Sequence, residues 1–103
     1  MKIKEMCAEE RPREKLLSAG AESLSNGELL AVLLRSGYYS PSGQGKSALE
    51  IAQELLALTG GRLLPLAGMN AKEILSVKGI KSQKAATLLA TIEFGRRFML
   101  EQV

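Results

Sequence analysis

Chemistry-bearing side chains gather most densely in Ile74-Leu75-Ser76-Val77-Lys78-Gly79-Ile80-Lys81-Ser82-Gln83-Lys84-Ala85. Gly79 is the residue type that permits a sharp backbone reversal and a close approach to a ligand. Ile80, apolar and directly after it, is placed to plug the turn into a core. The amides from Lys81 to Lys84 fall at the start of a helix, where unpaired N–H groups and the positive end of the dipole attract phosphate. Lys78, Lys81 and Lys84 add three cations with no acid among them. Such a set, completed by Ser82, grips a phosphate backbone rather than reading bases. The same pattern also suits a plain turn between two helices whose lysines point into water.

A second stretch, Ser40-Pro41-Ser42-Gly43-Gln44-Gly45-Lys46-Ser47, has the look of a nucleotide-binding loop but lacks its parts. Serine stands where the first glycine is required, no strand pattern precedes it, and the chain has no Asp to hold magnesium. It reads as a loop leading into a helix, with Lys46 and Ser47 expected to touch a phosphate as counterparts of Lys81 and Ser82. Tyr38 and Tyr39 just before it have faces on which bases stack, although exposed loop tyrosines are also common without that role.

Composition removes other chemistries. The chain has 103 residues, no His, and Glu as its only acid, with a single cysteine, Cys7. There is no imidazole base and no His-rich or Cys-rich metal site. Nothing beside Cys7, in Met6-Cys7-Ala8-Glu9-Glu10, stabilises a thiolate. The expectation is a chain that is not an enzyme and takes no cofactor or metal. No apolar run approaches a membrane span, so no membrane partner is expected, and the lone cysteine fits the cytoplasm. The net charge is +3, but residues 1–60 hold seven Lys and Arg against eight Glu, and residues 61–103 hold seven against three. The basic surplus lies with the Gly79 turn, as a polyanion partner requires.

These groups need helices to position them. Residues 1–10 are charged and aperiodic and read as a flexible arm; residues 11–103 read as one helical domain. Pro12 fits a first helical turn, and that short helix ends near Gly20. Ser25 with Glu28, and Asn70 with Glu73, are spaced as capping boxes. The helix after Ser25 is apolar nearly all round and so is expected to be central and buried. From Lys46 a helix resumes, with Ala48, Ile51, Ala52, Leu55 and Leu58 as its apolar stripe. Residues 62–68 have room only for a turn of helix around Pro65. A last helix runs from about Ser82 past Phe98, with Ala85, Leu88, Leu89 and Ile92 inward. Glu28-Leu29-Leu30-Ala31-Val32 and Glu73-Ile74-Leu75-Ser76-Val77 match position for position, 45 residues apart, which suits a duplicated helical hairpin. The expected fold is all-α: a compact helical domain of two hairpins, the first degenerate, plus a short N-terminal helix.

The second hairpin, at about residues 70–98, resembles the helix-hairpin-helix motif through Gly79-Ile80 and Ala85, departing from it at Lys81, where a second glycine is usual. More broadly, five pieces of the chain resemble the N-terminal domain of the RadC family of bacterial proteins. They are Arg11-Pro12-Arg13-Glu14-Lys15-Leu16-Leu17, Glu28 through Gly37, Gly45-Lys46-Ser47, Val77-Lys78-Gly79-Ile80 and Glu93-Phe94-Gly95-Arg96-Arg97. The resemblance implies a DNA-repair association and a longer parent whose C-terminal half looks like a JAB/MPN-type zinc metallohydrolase. The His and Asp ligands of that half are absent here. Two functions follow as expectations. One is a non-catalytic module binding the DNA backbone without sequence specificity; the other is an interaction or regulatory module for the missing half or another protein. The second draws on the apolar end formed by Phe94, Phe98, Met99 and Leu100.

Overall fold

Three Glu residues, each three positions after a Ser or Asn, set the starts of three helices. In the computed structural model, which describes residues 10–101, Ser25, Ser47 and Asn70 each accept from the backbone N–H three residues on. Glu28, Glu50 and Glu73 reach back to the cap N–H. Such reciprocal boxes satisfy two otherwise orphaned donors per helix. The five helices are α1 (Glu10–Ala19), α2 (Asn26–Leu34), α3 (Ala48–Ala57), α4 (Ala71–Leu75) and α5 (Ser82–Leu100). Short 3-10 turns occupy Ala21–Ser23 and Leu64–Gly68, the latter around Pro65. The fold is all-α in its essentials, and the expected arm at residues 1–10 lies, apart from the first residue of α1, outside the described residues.

The core is built from α2 and α3, which pack chiefly on each other, with α5 and α4 closing it. Leu30, Ala31 and Leu34 meet Ala48, Ile51, Ala52, Leu55 and Leu56, and Ile74, Val77, Ile80, Ala85 and Leu88 seal the far side. On α1, Pro12 is buried, and Lys15 pairs with Glu28 at 3.2 Å, tying that helix to α2. Leu58, expected on the apolar stripe, is exposed because α3 has already ended at Ala57; Leu56 is buried in its place.

The segment expected to be a plain loop is a small antiparallel ribbon. Strand β1 (Tyr38–Tyr39) pairs with β2 (Gly45–Lys46), so Lys46 is extended and the helix resumes at Ala48 rather than at Lys46. Two glycines make the ribbon possible. A Cβ at Gly37 would lie 1.7 Å from the Lys46 carbonyl oxygen, and one at Gly45 would lie 1.9 Å from that of Tyr38.

Candidate nucleic-acid interface

Between α4 and α5 the chain reverses through Val77-Lys78-Gly79-Ile80. The Ile80 N–H donates to the Val77 carbonyl at 3.1 Å, Gly79 takes φ 101°, and Ile80 is buried in the core. Lys81 then enters α5 with an extended backbone and no side-chain cap. The amides opening this 19-residue helix therefore lack the side-chain acceptor that α2, α3 and α4 each possess. Lys78, Lys81 and Ser82 are exposed beside them. No acid stands between Glu73 and Glu93.

Gly79 itself does different work from that expected of it. A Cβ there would lie 2.7 Å from Ile51 Cδ1 and 2.9 Å from Tyr38 Cδ1. The close approach it permits is to its own protein, because the turn is pressed against α3 and the ribbon. Tyr38 thus joins the two hairpins, and the Lys78 ammonium lies 5.6 Å from the centre of its ring, a cation–π distance. Tyr39, next along the strand and so on the opposite face, is largely exposed.

The other sequence candidates are engaged elsewhere. Ser47 is buried as the cap of α3, its hydroxyl accepting from the Glu50 N–H at 3.2 Å, and is closed to a ligand. Lys46 pairs with Glu54 at 2.5 Å; that carboxylate raises its pKa above the ordinary lysine value. The pair Lys46 and Ser47 is therefore not a counterpart of Lys81 and Ser82. In the first hairpin the ribbon intervenes and the cap position is filled by a serine. Lys84 donates to the Leu34 carbonyl at 2.9 Å and to Ser36 Oγ at 3.5 Å. It fastens α5 to the end of α2, where a cation also meets the negative end of the dipole.

Two hollows were not legible in the sequence. Arg13, Arg35, Ser36, Gln83, Lys84 and Thr87 border a cleft of about 350 Å3 that no carboxylate lines. Arg13 and Arg35 are 22 positions apart and meet only because α1 packs on α2, so no spacing rule reveals them. The second hollow, about 680 Å3, is apolar and lined by residues including Leu16, Leu29, Leu33, Leu63, Leu64 and Ile92. Beside it the end of α5 stands clear of the body, with Phe94 70% and Phe98 60% exposed. Among the described residues no cluster of three metal-ligating side chains occurs, and no helix is long and apolar enough to cross a membrane.

Residues 3–86 match the family described as UPF0758 N-terminal. The chain belongs to that family. It is 46% identical over its whole length to a UPF0758 protein of Thioalkalivibrio sulfidiphilus, covering 44% of that protein. It is 50% identical over 95 residues to one of Moorella thermoacetica, covering 92% of this chain and 39% of the relative. For one of Bacillus licheniformis the identity is 49% over 98 residues, covering 94% of this chain and 41% of the relative. The chain thus spans about four-tenths of the length of these relatives. No solved structure matches it.

Proposed function

We propose that this domain is a non-catalytic, RadC-like module that binds the phosphate backbone of DNA without sequence specificity through the Val77–Lys81 turn. The observation that carries the reading is the start of α5. Its opening amides have no side-chain cap, whereas α2, α3 and α4 all have capping boxes, and exposed Lys78 and Lys81 flank it. Unsatisfied helix-start amides and cations both favour phosphate, and neither selects a base. The helix-hairpin-helix resemblance and the DNA-repair association of RadC-like proteins support it. Lys81, in place of the motif's second glycine, adds charge where the motif adds close approach. Fluorescence anisotropy with a labelled duplex at low salt tests this. Binding should weaken as salt rises, and Lys81→Glu should weaken it by about 1–2 kcal/mol, through the loss of one phosphate contact and the added repulsion. No binding at low salt, or indifference to the substitution, refutes it.

A second reading is favoured by a separate observation. The apolar hollow and the exposed Phe94 and Phe98 form one surface at the end of α5, and exposed apolar surface of that kind marks contact sites. In the longer UPF0758 relatives the remaining part of the protein, JAB/MPN-like by the RadC resemblance, is the partner this surface suits. Mixing the domain with the separately produced remainder of a UPF0758 relative should give a complex that Phe94→Ser weakens; absence of a complex overturns this reading.

A further inference from the structure

We propose that the cleft bordered by Arg13, Arg35 and Lys84 is a second phosphate site, taking a phosphodiester of the same nucleic acid; this rests on the reading of the Val77–Lys81 turn as a backbone grip. The first support is electrostatic. Elsewhere on the surface the cations are matched, Lys15 with Glu28, Lys46 with Glu54, and Arg96 and Arg97 with Glu93. Here three cations share a hollow of about 350 Å3 with no carboxylate lining it. Neither Arg13 nor Arg35 has an ion-pair partner among the described residues. Three like charges converging in one concavity repel each other, and an anion relieves the repulsion.

The second support is conformational and independent of the first. Arg35 ends α2 at φ 72° and ψ −52°, the only non-glycine with positive φ among the described residues. The Ser36 N–H donates back to the Leu34 carbonyl at 2.8 Å across it, which makes a γ-turn of the rare, strained kind. Glycine would occupy this position without strain, and glycine is the usual residue where a helix ends in such a conformation. Lys84 clamps the strained turn by bonding both Leu34 and Ser36. Strain held in place by surrounding bonds concentrates where a side chain is needed for a task; here it sets an exposed guanidinium at the mouth of a basic cleft.

The third support is place. Gln83, on the cleft wall, is the second residue of α5. The hollow therefore borders the same helix start that Lys81 opens, with Lys84 one turn further along. A backbone lying across the start of α5 meets the amides and Lys81 at one phosphate and the two guanidiniums at another. Guanidinium forks match the paired oxygens of a phosphodiester.

The test uses the whole 103-residue chain. Duplex affinity is measured over a range of salt concentrations for wild type, Arg13→Gln with Arg35→Gln, and Lys81→Glu, and amide shifts are followed on adding inorganic phosphate. The double variant should bind about tenfold more weakly, with its salt slope reduced by about two, since each lost phosphate contact removes about 0.9. Arg35→Gly separates binding from folding: it relieves the turn, so its Tm should equal or exceed that of wild type while duplex affinity falls several-fold. Unchanged slope and affinity in the double variant, with Lys81→Glu still weakening binding, overturns the second site and leaves the turn reading standing. Loss of phosphate-induced shifts with duplex binding unchanged shows a free-anion site and overturns the nucleic-acid assignment. An Arg35→Gly variant with lowered Tm and wild-type affinity places Arg35 in the fold alone and overturns the proposal. Failure of wild type to bind duplex at low salt overturns both readings together.

Discussion

Replacing Lys84 by Met and Lys81 by Met should give opposite outcomes in a thermal melt, although the two lysines lie three positions apart at the start of one helix. Lys84 Nζ lies 2.9 Å from the Leu34 carbonyl oxygen and 3.5 Å from Ser36 Oγ, in a half-buried setting. A hydrogen bond from a charged donor contributes about 1.5–3 kcal/mol, and partial exposure argues for the low end. Met keeps most of the aliphatic stem, so little packing is lost, and the Leu34 carbonyl still accepts from the Ser36 N–H. The net cost is then about 1.5 kcal/mol, which in a domain of this size lowers Tm by about 6–10 °C. Lys81 is exposed and makes no printed side-chain bond among the described residues, so Lys81→Met should leave Tm within about 2 °C, as surface substitutions do. Differential scanning calorimetry at pH 7 reads both. A Lys84→Met melt within about 2 °C of wild type would show that the ammonium does not clamp α5 to α2.

Three further outcomes follow from the same geometry. Gly79→Ala forces a Cβ to 2.7 Å from Ile51 Cδ1 at φ 101°; strain and overlap together should cost about 2–4 kcal/mol, seen as a lowered denaturation midpoint in urea. Ser47→Ala removes a buried capping hydroxyl and should cost about 1–2 kcal/mol by the same assay, at least as much as Ser25→Ala on the exposed cap of α2. Hydrogen bonds from Arg96 and then Arg97 hold the Glu93 carboxyl well down, from 4.5 to about 2. A carboxylate depressed in the folded state stabilises it above the unfolded value and loses that contribution as pH falls through the folded one. Glu93→Gln should therefore melt slightly below wild type at pH 7, with the gap closing between about pH 4.5 and pH 2; a gap that persists at pH 2 refutes the assignment.

Much of the architecture is local and was legible in the chain. A cap and its box partner are three residues apart, so Ser25 with Glu28 and Asn70 with Glu73 announce helix starts whatever surrounds them. Ile80 following Gly79 announces a plugged turn for the same reason. Ser47 with Glu50 carries the identical signal, yet lysine and serine beside a glycine-rich loop drew attention to ligand binding instead. The ribbon from Tyr38 to Lys46 went unseen because two-residue strands have no periodicity to detect. Its marks were Gly37 and Gly45, whose missing side chains let two backbones touch.

The Gly79 turn was determined by sequence: its reversal, its buried isoleucine and the helix that starts after it follow from residue types a few positions apart. Tertiary structure alone decided what each cation near it does. Lys84 is held by a carbonyl 50 positions away, Lys46 by Glu54 across the start of α3, and Lys78 lies over a tyrosine from the other hairpin. Arg13 and Arg35 come together only through the packing of α1 on α2. A charge's availability depends on which groups stand within a few ångströms of it in space, and linear spacing encodes that only along a single helix or strand.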